Sequence, residues 1–238
     1  SFIQFTSSKG VTGIRDISTI RLGSSSPKLK TLALTSVLQN YSSSNFVVEI
    51  GNRNTFTLNL SIPASEFKTH FYQAGNYTFQ LNLDGRSLDD GISGIQNTDI
   101  TIKVNSLSEI TIPTSGQNVD FILNTPTQYR EGLSKVITSQ IKISNNETFE
   151  LYVKSDVGFF KKGGIQTDIN ASILQIGVDG STSMALSTSP QKILAAGAPV
   201  LDQEINIKYT IPATAAQSLV EKEKTTYSIN VIYSFTAI

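Results

Sequence analysis

Thr55-Phe56-Thr57-Leu58-Asn59-Leu60-Ser61-Ile62 leads into Pro63-Ala64-Ser65, and further on into Tyr77-Thr78-Phe79-Gln80-Leu81-Asn82-Leu83. The same design returns as Glu204-Ile205-Asn206-Ile207-Lys208-Tyr209-Thr210-Ile211, Pro212-Ala213-Thr214 and Tyr227-Ser228-Ile229-Asn230-Val231-Ile232-Tyr233. With Pro63 set on Pro212, a single-residue gap brings Tyr77 onto Tyr227. Phe56, Leu58, Leu60 and Ile62 fall on one side, and Thr55, Thr57, Asn59 and Ser61 on the other. That period of two belongs to a strand with one buried and one wet face. Each copy therefore reads as strand, Pro-Ala crossover, strand. A stretch used twice in 238 residues predicts two tandem domains, 1–104 and 108–238, joined by a linker at 105–107.

Outward from the signature, residues 1–6 and 14–22 read as strands, the second with Ile17, Ile20 and Leu22 as its apolar positions. Leu29, Leu32, Leu34 and Val37 continue the apolar pattern, and Phe46-Val47-Val48-Glu49-Ile50 makes another strand. Residues 64–73 hold a helical turn, Gly85 to Asn97 form a polar loop, and Asp99 to Val104 form a strand. The second copy opens at Glu109-Ile110-Thr111-Ile112-Pro113, which its proline keeps at an edge or an end. Asp120-Phe121-Ile122 aligns with Ser1-Phe2-Ile3, and Ser172-Ile173-Leu174-Gln175 echoes Ser36-Val37-Leu38-Gln39. Strands are expected at 136–143 and 149–153, separated by an Asn145-Asn146 turn. A loop is expected at Phe159-Phe160-Lys161-Lys162-Gly163-Gly164 and a short helix over 213–222. Short strands, frequent turns and little helix predict an all-β chain of two tandem immunoglobulin-like β-sandwich domains.

Composition narrows the chemistry. With no cysteine there is neither a disulfide framework nor a thiolate metal site. Charge balances at 19 basic against 19 acidic residues, so the basic stripe that a nucleic-acid partner needs is not expected. No apolar run reaches the ~20 residues of a membrane-spanning helix. Abundant Ser, Thr and Asn, and a first residue that is Ser rather than Met, lead us to expect a secreted or cell-surface protein with a processed or trimmed terminus. His70 is the one histidine, which argues against a nucleophilic triad and against zinc. Asp84-Gly85-Arg86-Ser87-Leu88-Asp89-Asp90-Gly91 lacks the spaced ligands of a calcium loop and reads as a turn. Glu109, Glu147 and Glu150 show no paired spacing of the glycosidase kind. Gly10-Val11-Thr12-Gly13 and Gly163-Gly164 lack the Gly-Lys-Ser/Thr ending of a phosphate loop. No cofactor and no enzymatic activity are expected. Tyr41, Tyr72, Tyr129 and the adjacent Phe159 and Phe160 are the aromatic side chains that loops could offer to a ligand, with Tyr129, Phe159 and Phe160 the first to test.

The copies differ at their ends. The second has a leading strand, 109–113, where the first has none, and the first has a trailing strand, 99–104, where the second has none. A sandwich missing a strand exposes core side chains beside unpaired backbone, which invites strand addition. Ala74-Gly75-Asn76-Tyr77-Thr78-Phe79-Gln80-Leu81 resembles the closing strand of chaperone–usher pilins and of spore-coat-U-like proteins. Phe121-Ile122-Leu123-Asn124 through Ile211-Pro212-Ala213 and Tyr227 resembles secreted β-sandwich repeats of Bacteroidetes surface proteins. The pilin resemblance implies an incomplete immunoglobulin-like sandwich completed by a strand from the next subunit. This chain departs from that family in having no cysteine pair, and a free N-terminal donor extension beyond residues 1–6 is not expected from it. The expected function is a secreted structural or adhesive protein, a pilus or filament subunit or a fibre-associated adhesin. Its partners would be other copies of itself or a related subunit. The complementation candidates are Phe2, Ile3, Phe5, Ile100, Ile102, Val104, Tyr227, Ile229, Val231, Tyr233 and Phe235. The alternative is a surface module that binds carbohydrate or another host ligand through sandwich-end loops.

Overall fold

Alternation in β1 (Phe2–Ser7) sends Ile3 and Phe5 inward and leaves Phe2 63% exposed. The structure, a computed structural model, describes residues 2–26, 28–42, 57–86, 91 and 93–238. Its sheets are antiparallel throughout and the chain is all-β. Residues fall into two compact units, Ser1–Ser106 and Leu107–Ile238.

In the first unit, β1 is followed by β2 (Thr12–Asp16), β3 (Arg21–Ser24), β4 (Leu32–Ala33), β5 (Leu58–Ser61), helix α1 (Ala64–His70), β6 (Gly75–Arg86) and β7 (Ser93–Val104). One sheet has the order β2-β1-β6-β7 and the other β4-β3-β5. Tyr77 is fully buried, 4.6 Å from the Phe5 ring and 5.0 Å from the Phe71 ring, tilted in both cases as aromatic pairs prefer. Ile3, Ile17, Ile20 and Phe79 complete the core, and Ile62, Leu81, Ile100, Ile102 and Val104 pack against it.

Three expectations for this half are corrected. The strand expected over 14–22 is broken by a 3-10 turn at Ile17–Thr19, because the Asp16 carboxylate accepts the Ser18 N–H at 2.9 Å and caps the turn. Ile17, Ile20 and Leu22 are buried as expected, but through that turn rather than by strand alternation. Of the loop expected at 85–97, residues 85–86 and 93–97 are strand, since β6 and β7 pair without a slip from Gly75↔Val104 to Arg86↔Ser93. Val37 does not continue the core pattern and is 72% exposed. In β5, Leu60 is half-exposed while Ile62 packs inward. The strand expected at 46–50, Thr55-Phe56 of the signature and Asp89-Asp90 of the acidic loop lie outside the described residues.

The second unit contains β8 (Ser108–Thr111), α2 (Pro126–Glu131), β9 (Gly132–Asn145), β10 (Phe149–Ser155), β11 (Phe159–Lys162), β12 (Ile165–Asn170), β13 (Gln175–Val178), β14 (Met184–Ala185), β15 (Gln191–Gly197), β16 (Val200–Pro212), α3 (Ala213–Ser218) and β17 (Val231–Ala237). Its sheets have the orders β14-β13-β16-β9-β8 and β15-β10-β17, with β11-β12 as a separate hairpin. Ile141, Ile143, Phe149, Leu151, Ile176, Ile205 and Ile207 share one core between the two larger sheets. The loop expected at 159–164 is corrected to this hairpin. Gly163 (φ 55°) and Gly164 (φ 86°) form its two-residue turn, which needs positive φ at both positions. Phe121 lies in no strand, so its alignment with Phe2 fails. Its ring instead meets Tyr209 edge-on at 6.5 Å, while Ile122 is 67% exposed. Helix α2 was not anticipated, although Thr125-Pro126-Thr127-Gln128 spells a capping box with proline in the first turn.

The duplication extends to hydrogen bonds. Asn170 caps the 3-10 turn Ala171–Ile173 through the Ser172 N–H at 2.9 Å, as Asp16 caps its own turn through Ser18. Ile20 N–H bonds Ile17 O and Leu174 N–H bonds Ala171 O, both at 3.1 Å. Leu34 N–H bonds Ile20 O and Leu186 N–H bonds Leu174 O, both at 2.8 Å. Leu22 pairs with Leu32 and Leu60, and Ile176 pairs with Met184 and Tyr209. Pro63 and Pro212 stand at the N-caps of α1 and α3. Gln4 faces Thr78 as Lys161 faces Ser228, which retains the match of Tyr77 with Tyr227. Residues 172–175 thus correspond to 18–21, and the expected echo with 36–39 is replaced.

Candidate functional site: the open sheet edges

The repeat shows what each unit has that the other lacks. β16 lies between β13 and β9, whereas β5 pairs β3 and, among the described residues, no strand lies on its other side. β6 lies between β1 and β7, whereas β17 pairs β10 and, among the described residues, no strand lies beyond it. The edge of β17 therefore occupies the place that β7 fills in the first unit.

Edge strands carry devices that discourage pairing: short length, charge, proline or bulges. β8 has four residues with Glu109 inside it and Pro113 just beyond. β4 and β14 have two residues each. β15 carries Lys192 and two register shifts against β10, and β2 carries Arg15 and Asp16. β5 is limited to four residues. β7 has Asp99 and Lys103. β17, Val231-Ile232-Tyr233-Ser234-Phe235-Thr236-Ala237, has seven residues, no charge, no proline and an unbroken register from Ser155↔Val231 to Phe149↔Ala237. Its inward side chains Val231, Tyr233 and Phe235 pack on the core but stay partly exposed, while Ile232, Ser234 and Thr236 face solvent.

The buried side of β17 is fixed by aromatic contacts. The Phe235 and Phe149 rings meet at 6.1 Å in an edge-on pair. The Tyr233 and Tyr209 hydroxyls lie 2.7 Å apart. Burial pushes both phenols above their ordinary range, and for Tyr233 the neighbouring Tyr209 adds to the shift.

The expected complementation residues divide into three groups. Ile3 and Phe5 are buried in their own core, and β1 is hydrogen-bonded on both sides, by β2 and β6, so it offers no free edge. Phe2 points to the outer face, opposite Asp16. Ile100, Ile102 and Val104 pack on the first unit's core from β7, whose second edge is unpaired among the described residues. Val231, Tyr233 and Phe235 lie on the β17 edge itself. Tyr227 and Ile229 precede that strand, in the segment that meets β11 through Lys161↔Ser228. Ile232, Ser234 and Thr236, the outward residues of the edge, were not singled out from sequence. Their signal was the absence of any charge or proline in the run.

The aromatic loop candidates are held by the fold. Tyr129 donates to Leu123 O at 3.1 Å, and Lys224 lies 4.9 Å from its ring centroid. Phe160 packs against the second core, and Phe159 pairs with Asn170 in the β11-β12 hairpin. Tyr41 and Tyr72 are half-buried. His70 Nε2 lies 3.5 Å from Glu66 on the same helix face. Asp84 pairs with Arg86 inside β6 at 3.0 Å. A shallow polar depression of about 80 Å³ is lined by Glu109, Thr111, Lys142, Ser144 and Asp202, where Lys142 pairs with Asp202 at 3.0 Å. Among the described residues, no three His, Asp or Glu side chains converge as a metal set, and no helix is long and apolar enough to cross a membrane.

No protein-family model and no curated protein sequence matches this chain. Among solved structures, one similar chain comes from a chaperone–tip adhesin complex of CFA/I fimbriae biogenesis. It shares 16% identity at a TM-score of 0.36, over 100% of this chain and 74% of that one. At that level the likeness assigns no family and carries no activity across.

Proposed function

We propose that this chain is a secreted subunit of a surface fibre, or an adhesive module attached to one, and that it assembles by accepting a strand from another chain at the edge of β17. The observation that carries the reading is the uncharged, proline-free, unbulged seven-residue edge, in the position that a strand occupies in the first unit. A solitary monomer with such an edge invites uncontrolled association, and an assembling subunit makes use of it. The role is non-catalytic: binding rests on main-chain hydrogen bonds along the edge and on covering Val231, Tyr233 and Phe235.

The test is the state of association of the protein with and without a charged edge. Ile232 and Thr236 face outward, so Ile232→Lys combined with Thr236→Lys leaves the core intact while opposing strand addition. Light scattering and negative-stain microscopy of the parent protein are expected to show oligomers or fibres, and those of the double variant monomers with an unchanged unfolding midpoint. A parent protein that stays monomeric at high concentration overturns the proposal.

A further inference from the structure

We propose that the strand accepted at β17 is β17 of a second copy, antiparallel to the first and centred on Ser234. This rests on the reading that β17 is an acceptor edge, and it adds the partner, the register and the stoichiometry. Backbone direction carries the first part of the argument. Asp156 N–H donates to Asn230 O at 3.2 Å and Ile238 N–H donates to Thr148 O at 2.8 Å, so the even-numbered residues of this run turn their ladder groups toward β10. The N–H and C=O groups of Val231, Tyr233 and Phe235 face the other side, where no strand lies among the described residues. The side chains of the same three residues point at the core.

Residues directly opposite in an antiparallel pair share a face of the sheet. An added strand that keeps its apolar side over the core must therefore present the backbone groups of its own inward-facing residues. β7 does so on the edge it gives to β6, where Ile100 and Ile102 face Phe79 and Tyr77. The bare edge of β17 meets the same condition, so one β17 fits another.

A two-fold axis at Ser234 pairs the whole strand with itself. Val231 then meets Ala237, Tyr233 meets Phe235, Ile232 meets Thr236 and Ser234 meets its counterpart. The Tyr233–Phe235 pair occurs twice, is of the kind that stabilises cross-strand neighbours, and covers side chains left partly exposed in a single copy. Centring on Tyr233 would also align the faces, but within the strand it overlaps only Val231 to Phe235 and breaks both aromatic pairs. No charge lies in the contact. On the outer face Lys154, opposite Ile232, ends the same cross-strand row as Glu150 of the second copy, so the flanking charges are of opposite sign. The contact is isologous and closes at two copies, with the joined sheet running β15-β10-β17-β17-β10-β15.

The chain contains no cysteine, so introduced thiols report this contact without background. At the axis Ser234 and its counterpart form a non-hydrogen-bonded pair with Cα atoms about 4.5 Å apart, within the span of a disulfide. Ser234→Cys, at a solvent-facing position, is expected to self-link on mild oxidation into a dimer and no further. Its yield is expected to be several-fold that of Ile165→Cys, a control at a residue 75% exposed in β12. Ile232→Cys mixed with Thr236→Cys, the adjoining pair of the same register, is expected to link at several-fold the yield of either alone, and covers the case of a Ser234 variant that misfolds. Preferential linking of Ile232→Cys to Ser234→Cys would overturn the register. An assembled parent that the edge lysines disperse, with neither thiol test linking, leaves β17 as an acceptor and overturns a second β17 as its partner. A monomeric parent defeats both readings.

Discussion

Gly75 shows how one residue positions a sheet. Its φ is +150°, and a Cβ placed there would lie 2.3 Å from Thr6 O and 2.8 Å from the Phe5 ring. Gly75 therefore lets β1 and β6 close over Tyr77, and Gly75→Ala is expected to cost on the order of 3 kcal/mol, measured by denaturant unfolding. Tyr77 carries a pH dependence. Burial pushes its phenol up from 10.0 to about 12, while its hydroxyl donates to Gln73 O at 2.9 Å. The folded state thus holds the proton more tightly than the unfolded chain. The associated stability is complete below pH 10 and is lost as pH rises from about 10 to about 12. Unfolding free energies measured across that window are expected to fall, and to fall less steeply for Tyr77→Phe. The charged residues were harder to read. Glu150 is held below the ordinary carboxylate range by hydrogen bonding to Lys192 and to Tyr152, yet the cluster lies on the outer face of the β15-β10 sheet, and sequence spacing gave no sign of it.

At the scale of elements, the capped 3-10 turns are the repeat's most closely matched parts. Asp16 and Asn170 do the same work with different side chains, each accepting the N–H two residues on and setting the entry into β3 or β13. Asp16→Ala and Asn170→Ala are each expected to destabilise by about 1 kcal/mol, read from unfolding midpoints. Asp16→Asn is expected to be nearly neutral, because the amide oxygen accepts the same bond. Neither turn was visible in the apolar pattern, since three residues with one or two inward side chains produce no periodicity. The β11-β12 hairpin was missed for a related reason. Phe159-Phe160-Lys161-Lys162 does not alternate, although Gly163-Gly164 is a two-residue turn signal. By contrast β6, β10 and β16 alternate along most of their length and were legible almost residue by residue.

For the molecule as a whole, the two cores are composed separately, one around Tyr77 and one around Ile207, Leu151 and Ile143. Ile207→Ala is expected to cost about 2–5 kcal/mol. Hydrogen exchange is expected to show the loss of protection in β9, β10 and β16 but not in β1 and β6; equal loss in both units would contradict separate cores. Sequence by itself determined that the chain is all-β, that a strand–proline–helix–strand stretch is used twice, and, Leu60 excepted, which of the described side chains of those strands face inward. Side-chain direction alternates with every residue of a strand, so a period of two in the sequence reports a buried face directly. Only the tertiary structure decided strand order, the full length of the β6-β7 ladder and which edges remain open. Ladder hydrogen bonds join backbone groups that are alike in every residue. Which strand pairs with which is settled by the apolar faces that come to share a core. β1 and β17 illustrate the result: both alternate in sequence, yet one is enclosed between two neighbours and the other, among the described residues, has a neighbour on one side alone.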